Sequence, residues 1–475
     1  MRKLLKHSLV YLLGDVLVRA GSFLLIPLYT RTLSRSEYGI LAIVSLLIVI
    51  VATLAGLSMS AAVLRLNPEH RARNESRKLV HSIVLFIMLW ALVLGGVLLL
   101  IAPPLISRFM HEGAIMKYSR LAIITGCLSG LTGVLLAVFQ SNEQPIRYRL
   151  VTLGAFGANI ITSIIAVVFL KMGVLGAVLG LAAGASGGFL IALTMTGIDF
   201  QTSFDRGVLA RGLGIGIPLT LYALGGLSTD QLSRVFIERY ISSSTLGVYN
   251  IAYLYCTPLS VIFIAINTAW VPKFFGDSLA SDHAKTSGLY GTALVIAAVG
   301  IAGIMSILSP DVLGLVVSRE YQEAQKIVPA LMFNAVLSTP VWTVLMNPLI
   351  LKNRNWSITW CAMASGACNV ALNVYLTKRY GVNGAILSSM GALLVLNGLV
   401  AVRSLREYHI PYRYLRIAAG IGITAAFYKI SLWGELFSPG AAFAVRATMA
   451  TLCGIAALLL IPGCVTLLTN RGTIG

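Results

Sequence analysis

The sequence predicts an all-α, polytopic membrane protein with about 14 transmembrane helices, and three observations carry that expectation. Apolar residues fill 57% of 475 positions and charged residues only 11%, with a positive mean hydropathy, a balance beyond that of a soluble domain. Apolar segments of about 20 residues recur along the chain, each long enough to cross a hydrocarbon layer of about 30 Å as a helix. The connections between them are short and rich in charge or turn residues.

Taken in order, the first span covers residues 9–31. Its start, "MRKLLKHSLVYLLG", has the basic opening of a secretory signal, but Asp15 and Arg19 break the apolar run and no soluble domain follows, so it is assigned as a span. Spans at 38–64 and 80–103 flank the basic stretch "RLNPEHRARNESRK" at 65–78. Spans at 118–140 and 150–170 are joined by a link with Arg147 and Arg149, and those at 173–198 and 212–234 by one with Arg206 and Arg211. The spans at 246–271 and 288–309 flank Lys273 and Lys285, and those at 327–351 and 356–376 flank Lys352 and Arg354. Spans at 381–402 and 413–433 flank "RSLREYHIPYRYLR", and the last span, 441–468, precedes Arg471.

The net charge of +19 follows from this pattern. Alternate connections, counted from the N-terminus, hold 21 Lys and Arg against 13 on the other side, so the positive-inside rule places both termini in the cytoplasm. Contact of the basic loops with anionic lipid is the weaker alternative. The six cysteines fall in apolar spans without a C-x-x-C pair, which makes them packing residues. No H-E-x-x-H or Walker sequence is present, and "GLGIG" at 212–216 lacks a strand and helix context. No cofactor or metal is therefore expected. With connections of about fifteen residues at most and no carboxylate pair or nucleophile and base, an enzyme is not expected either.

An internal repeat organises the chain. At an offset of 208 residues, "RTLSRSEYG" (31–39) lies over "RYISSSTLG" (239–247), "SMSAAVLRL" (58–66) over "INTAWVPKF" (266–274), and "KMGVLGAVLG" (171–180) over "RYGVNGAILS" (379–388). Eleven of these 28 positions are identical. The expected organisation is an N-lobe at 1–205 (helices 1–6), a parallel C-lobe at 206–405 (helices 7–12) and two C-terminal helices at 406–475. Two such lobes suit alternating access, in which a cavity opens to one side and then the other. The small-residue spacing Gly180, Gly184, Gly188 points to close packing within one protomer.

Polar residues in the spans are candidates for the lining, because polar groups facing lipid are costly. In the first span Tyr11, Asp15, Arg19 and Ser22 share one helical face. Asp-x-x-x-Arg returns at Asp230 and Arg234. Either each Arg is neutralised by its Asp one turn away, or each receives an anionic group such as a phosphate while the Asp takes up a proton or sodium ion. The eighth span carries Asn250, Tyr253, Thr257, Ser260 and Asn267 on one face, the fourth Thr125, Ser129, Thr132 and Gln140, and the eleventh Ser365, Asn369 and Asn373. These uncharged stripes suit a hydroxyl-rich solute such as a sugar, or else interhelical hydrogen bonding.

"YLLGDVLVRAGSFLLIPLYTRTLSRSEYGILA" followed by "GLSMSAAVLRL", with "SRVFIERYISSSTLGVYNIAY" at 233–253 in the second half, resembles the polysaccharide (Wzx-type, O-antigen) flippases of the multidrug, oligosaccharidyl-lipid and polysaccharide exporter superfamily. Where that family commonly has Asp-Arg, this chain has Ser233 and Arg234, with the acid displaced to Asp230. The resemblance implies a multi-pass protein of the bacterial inner membrane that flips a polyprenyl-pyrophosphate-linked oligosaccharide for O-antigen, capsule or exopolysaccharide synthesis. It implies a pyrophosphate held by Arg19 and Arg234, sugars held by the polar stripes, ion coupling through Asp15 or Asp230, and a polymerase and glycosyltransferases as partners. Export of a peptidoglycan precursor or of drugs stands as the alternative within the superfamily, and a glycan polymerase as the alternative outside it.

Overall fold

The computed structural model describes residues 25–73, 75–109, 113–197, 204–276, 283–352, 354–408, 410–433 and 439–461. The described residues are helical with no strand, and eleven helices are long and apolar enough to span a membrane. One of these, Asn355–Glu407, is two helices merged across Gly381, and the first expected span lies mostly outside the described residues.

The chain divides into two compact units, Met1–Gly247 and Val248–Gly475. In the first unit α1 is described over residues 25–32. It is followed by α2 (Arg35–Gly56), α3 (Met59–Ala72), α4 (Ser76–Phe109), α5 (Gly113–Ser141), α6 (Pro145–Ile164), α7 (Val174–Thr196), α8 (Arg206–Asp230) and α9 (Ser233–Tyr240). A capping box starts α2: the Ser34 backbone donates to Glu37 Oε2 at 2.9 Å, and the Glu37 backbone donates to Ser34 Oγ at 3.3 Å. The expected 38–64 span falls within one apolar stretch, Arg35–Ala72, inside which Leu57 and Ser58 adopt left-handed backbone between α2 and α3. Apolar faces of α3, α4 and α5 close a core of Met59, Val63, Leu79, Ile83, Ile87 and Val134, to which α8 adds Val208. The Gly180, Gly184 and Gly188 face of α7 lies on α6, where a Cβ on Gly184 would stand 3.0 Å from that of Asn159 and one on Gly188 2.9 Å from that of Ala155. Tyr29 of α1 donates to Ser163 Oγ of α6 at 3.0 Å.

The connections expected on one side of the membrane converge at one end of this unit. Asn67 Nδ2 donates to Ser141 Oγ at 2.8 Å and Asn142 Oδ1 at 3.0 Å, the Asp205 backbone donates to Ser82 Oγ at 2.9 Å, and Arg211 Nη2 lies 3.2 Å from His70 Nε2.

The second unit contains most of α10 (Ser243–Gly276), then α11 (His283–Val316), α12 (Val328–Pro340), α13 (Asn347–Leu351), α14 (Asn355–Glu407), α15 (Tyr414–Leu432) and α16 (Pro439–Leu460). Both C-terminal helices pack on α11, with Ile307, Ala450 and Cys453 at their common core. The link before α15 is pinned by His283 Nδ1, which meets the Tyr408 hydroxyl at 2.7 Å, and by Ile410, which is buried in a cluster with Trp270 and Phe274.

Two pairs of glycines 208 residues apart behave alike. Gly173 has φ 56° and ψ −131°, and Gly381 has φ 60° and ψ −136°, a region open in practice only to glycine. Gly39 of α2 and Gly247 of α10 cross at van der Waals range: a Cβ on Gly39 would strike the Ser243 carbonyl and one on Gly247 the Arg35 carbonyl.

Candidate functional site

Of the sequence-predicted residues, Tyr11, Asp15, Arg19 and Ser22 lie outside the described residues. Asp230 closes α8, and its side chain is outside the described set. The chain then leaves the α-helix at Gln231 and Leu232, and the Arg234 backbone donates to the Gln231 carbonyl at 3.2 Å. Asp230 and Arg234 therefore belong to successive helices, α8 and α9, joined through Gln231 and Leu232. The carboxylate on the Arg234 face of α9 is Glu238, four residues later. Both are buried, Arg234 at 6% and Glu238 at 0% exposure. Sequence reasoning missed Glu238, although the i, i+4 spacing in "SRVFIERY" is the signal that finds it.

The α10 stripe is graded along the helix. Asn250 is buried and its Oδ1 has no hydrogen-bond partner among the described residues. Tyr253, Thr257 and Asn267 are half-buried and Ser260 is exposed. The Thr257 hydroxyl donates to the Leu254 carbonyl at 2.7 Å, which leaves its lone pairs for a ligand. Buried amide oxygens without a partner are uncommon, which sets Asn250 apart from the rest of the stripe.

The eleventh-span stripe takes the interhelical alternative, whereas the fourth-span stripe bonds its hydroxyls to its own backbone as Thr257 does. Thr125 and Thr132 return their hydroxyls to the Leu121 and Leu128 carbonyls at 2.7 and 2.8 Å. On α14, Ser365 donates to the Ala392 carbonyl, Asn373 to Asn369 Oδ1 and Thr377 to Asn373 Oδ1, at 2.7–2.8 Å. That network is fully buried and joins the two arms of α14 across the Gly381 kink; it holds helices together and lines nothing.

A further ionic contact was hidden from the sequence. Arg446 on α16 meets Asp311 on α11 with both prongs, Nε to Oδ2 at 2.7 Å and Nη2 to Oδ1 at 2.6 Å. At the entry to α8, Asp205 Oδ1 accepts from the backbone of Gly207 at 2.8 Å and Val208 at 3.1 Å. Its carboxyl is held below the ordinary value, first by the Val208 N–H, then by the Gly207 N–H and the charges of Arg211 and Lys78. Among the described residues no cluster of three or more His, Cys, Asp or Glu could hold a metal.

The sequence pattern of the family described as polysaccharide biosynthesis protein matches residues 4–276. The chain belongs to that family. A protein of the Lsg locus of Haemophilus influenzae is 24% identical over 408 residues, covering 83% of this chain and 97% of that one. Among solved structures, the lipid II flippase MurJ in an inward closed conformation matches with a TM-score of 0.70 at 13% identity, covering 95% of this chain and 98% of its own. An inward-facing multidrug resistance MATE transporter of the MOP superfamily matches with a TM-score of 0.65 at 16% identity, covering 84% of this chain and 95% of its own. This member of the polysaccharide biosynthesis family thus has the polytopic helical fold of the MOP superfamily, as the resemblance in its sequence implied.

Proposed function

We propose that this protein is a transporter that flips a polyprenyl-pyrophosphate-linked oligosaccharide across the bacterial inner membrane, from the cytoplasmic to the outer leaflet, by alternating access. The observation that carries this reading is the family match across residues 4–276, which takes in both Arg19 and Arg234. The likeness to a lipid II flippase fold supports a lipid-linked cargo. Arg19, which with Asp15 interrupts the apolar first span, receives the pyrophosphate, because a guanidinium fork matches phosphate oxygens and a mid-membrane charge is costly unless it is used. Arg234, buried on α9 four residues before the buried Glu238, is the second candidate for that role. Tyr11, Ser22, Asn250, Tyr253, Thr257 and Asn267 meet the sugars, and Asp15 or Asp230 takes up the coupling proton or sodium ion. Both termini are cytoplasmic on the positive-inside count.

The paired conformations of Gly173 and Gly381, and the mutual approach of Gly39 and Gly247, support two parallel repeats offset by 208 residues. The division into lobes at 1–205 and 206–405, followed by the helices of 406–475, rests on that offset. The likeness to a multidrug transporter fold keeps export of drugs, or of a peptidoglycan precursor, as the second reading.

The test is Arg19→Ala in a strain that depends on this gene for surface glycan. The variant abolishes surface glycan and leaves lipid-linked units on the cytoplasmic leaflet, while Arg19→Lys retains part of the activity. Normal glycan export by Arg19→Ala removes the anion-receiving role. Single units reaching the outer leaflet without elongation would instead mark a polymerase.

A further inference from the structure

The end of the first unit where the basic connections meet holds a cavity of about 460 Å³. Its wall includes Arg77, His81, Asn142, Gln144 and Arg147, with no carboxylate lining it among the described residues. We propose that this cavity is a second binding site, separate from the cargo residues, for a phosphate group carried either by a membrane lipid headgroup or by a small soluble anion.

Three observations carry the assignment. First, its charge has one sign: Arg77 comes from the first turn of α4 and Arg147 from the first turn of α6, with His81 one turn further along α4. Second, the wall is built rather than incidental. Arg147 Nη1 donates to the Met195 carbonyl at 3.0 Å and lies 3.4 Å from Gln144 Oε1, which fixes the guanidinium at the mouth and leaves its remaining donors for a ligand. Behind it, Ser76 Oγ donates to Asn67 Oδ1 at 2.6 Å, and Asn67 Nδ2 donates to Asn142 Oδ1 at 3.0 Å, tying the α3, α4 and α5 sides together. Third, the depth is that of headgroups. Helices long and apolar enough to span a membrane begin at Ser76 and Pro145 and end at Thr196, and Arg147 stands beside Ile146 and Leu150, which are 73% and 49% exposed. Basic pockets at the ends of membrane helices select phosphate headgroups through the same chemistry.

The experiment uses the full chain in neutral detergent, with native mass spectrometry to count retained lipid after exposure to phosphatidylglycerol or phosphatidylcholine, and a parallel titration with inorganic phosphate read by thermal shift. Wild-type protein retains phosphatidylglycerol over phosphatidylcholine. Arg77→Gln/Arg147→Gln retains about tenfold less, as expected from loss of charge-assisted hydrogen bonds. Because Arg147 also holds the Met195 carbonyl, Arg77→Gln alone, at an exposed position, supplies a variant that leaves that contact intact and still lowers retention. Lys78→Gln, one residue on but outside the cavity wall, leaves retention unchanged. A phosphate-dependent thermal shift in wild type that the double variant lacks, without selective lipid retention, identifies a soluble anion as the ligand. Equal retention and equal phosphate response in wild type and double variant overturn the proposal, as does a loss in Lys78→Gln as large as that in Arg77→Gln, which would mark a diffuse basic surface.

Discussion

Asp311 and Arg446 concentrate two opposite charges where α11 meets α16, with side chains only 18% and 13% exposed. A two-pronged pair of this kind is stable as a pair and costly when halved, since a lone charge is left in a poorly solvated place. Arg446→Ala is expected to destabilise the protein by about 3–5 kcal/mol, read as a lower unfolding temperature in detergent. Asp311→Leu/Arg446→Met is expected to recover much of that loss, and a double variant as unstable as the sum of its singles would refute the coupling. Asp205 gives a pH prediction. Its folded pKa is depressed, so its stabilisation is complete above the unfolded value of about 3.9 and is lost as pH falls through the folded value. Asp205→Asn keeps an N-cap acceptor without titrating, so an acid scan of unfolding temperature should be flatter below about pH 4 for that variant than for wild type. Parallel curves would rule out the carboxylate as the titrating cap. The N-cap is legible in the sequence because its partners lie two and three residues away, whereas Arg446 and Asp311 are 135 residues apart and no local pattern pairs them.

Helix contacts turn on a few positions without side chains. Gly39 and Gly247 let α2 and the start of α10 approach until each would drive a Cβ into the other's backbone. Gly39→Ala and Gly247→Ala are expected to lower the unfolding temperature and folded yield, because a rigid carbonyl is the obstacle and cannot move as a side-chain end could. Gly96 is the contrast: a Cβ there meets nothing within 4 Å, so Gly96→Ala should stabilise α4 by up to about 1 kcal/mol. If the three substitutions behave alike, the close crossing is not what limits packing. The sequence repeat pointed to these glycines as matched positions, but only the fold brings 39 against 247. Likewise it matched Gly173 with Gly381, while the combination of positive φ with ψ near −130° that excludes other residues there is a property of the folded turns.

For the molecule as a whole, coupling to an ion gradient is the prediction that tests the proposed transport cycle. Transport measured after collapse of the proton or sodium gradient should fall, and Asp15→Asn or Asp230→Asn should lose that dependence. Rates unchanged by either variant would remove both carboxylates from the cycle. The break after Asp230 makes the two sites unequal: Asp15 and Arg19 lie four residues apart in one apolar run, whereas Arg234 belongs to α9 and shares its face with Glu238. Arg234→Ala is therefore a test of Glu238 as much as of Asp230.

The sequence by itself determined the membrane class, the succession of apolar spans and the family, since these depend on composition, local periodicity and residue order. The tertiary structure decided which polar residues remain available. It used Ser365 to join the two arms of α14, engaged Asn373 and Thr377 in bonds along one arm, and left Asn250 with a buried oxygen unmet among the described residues. A stripe of hydroxyls and amides has the same period whether it faces a ligand or a neighbouring helix, and only the partner across the contact distinguishes the two.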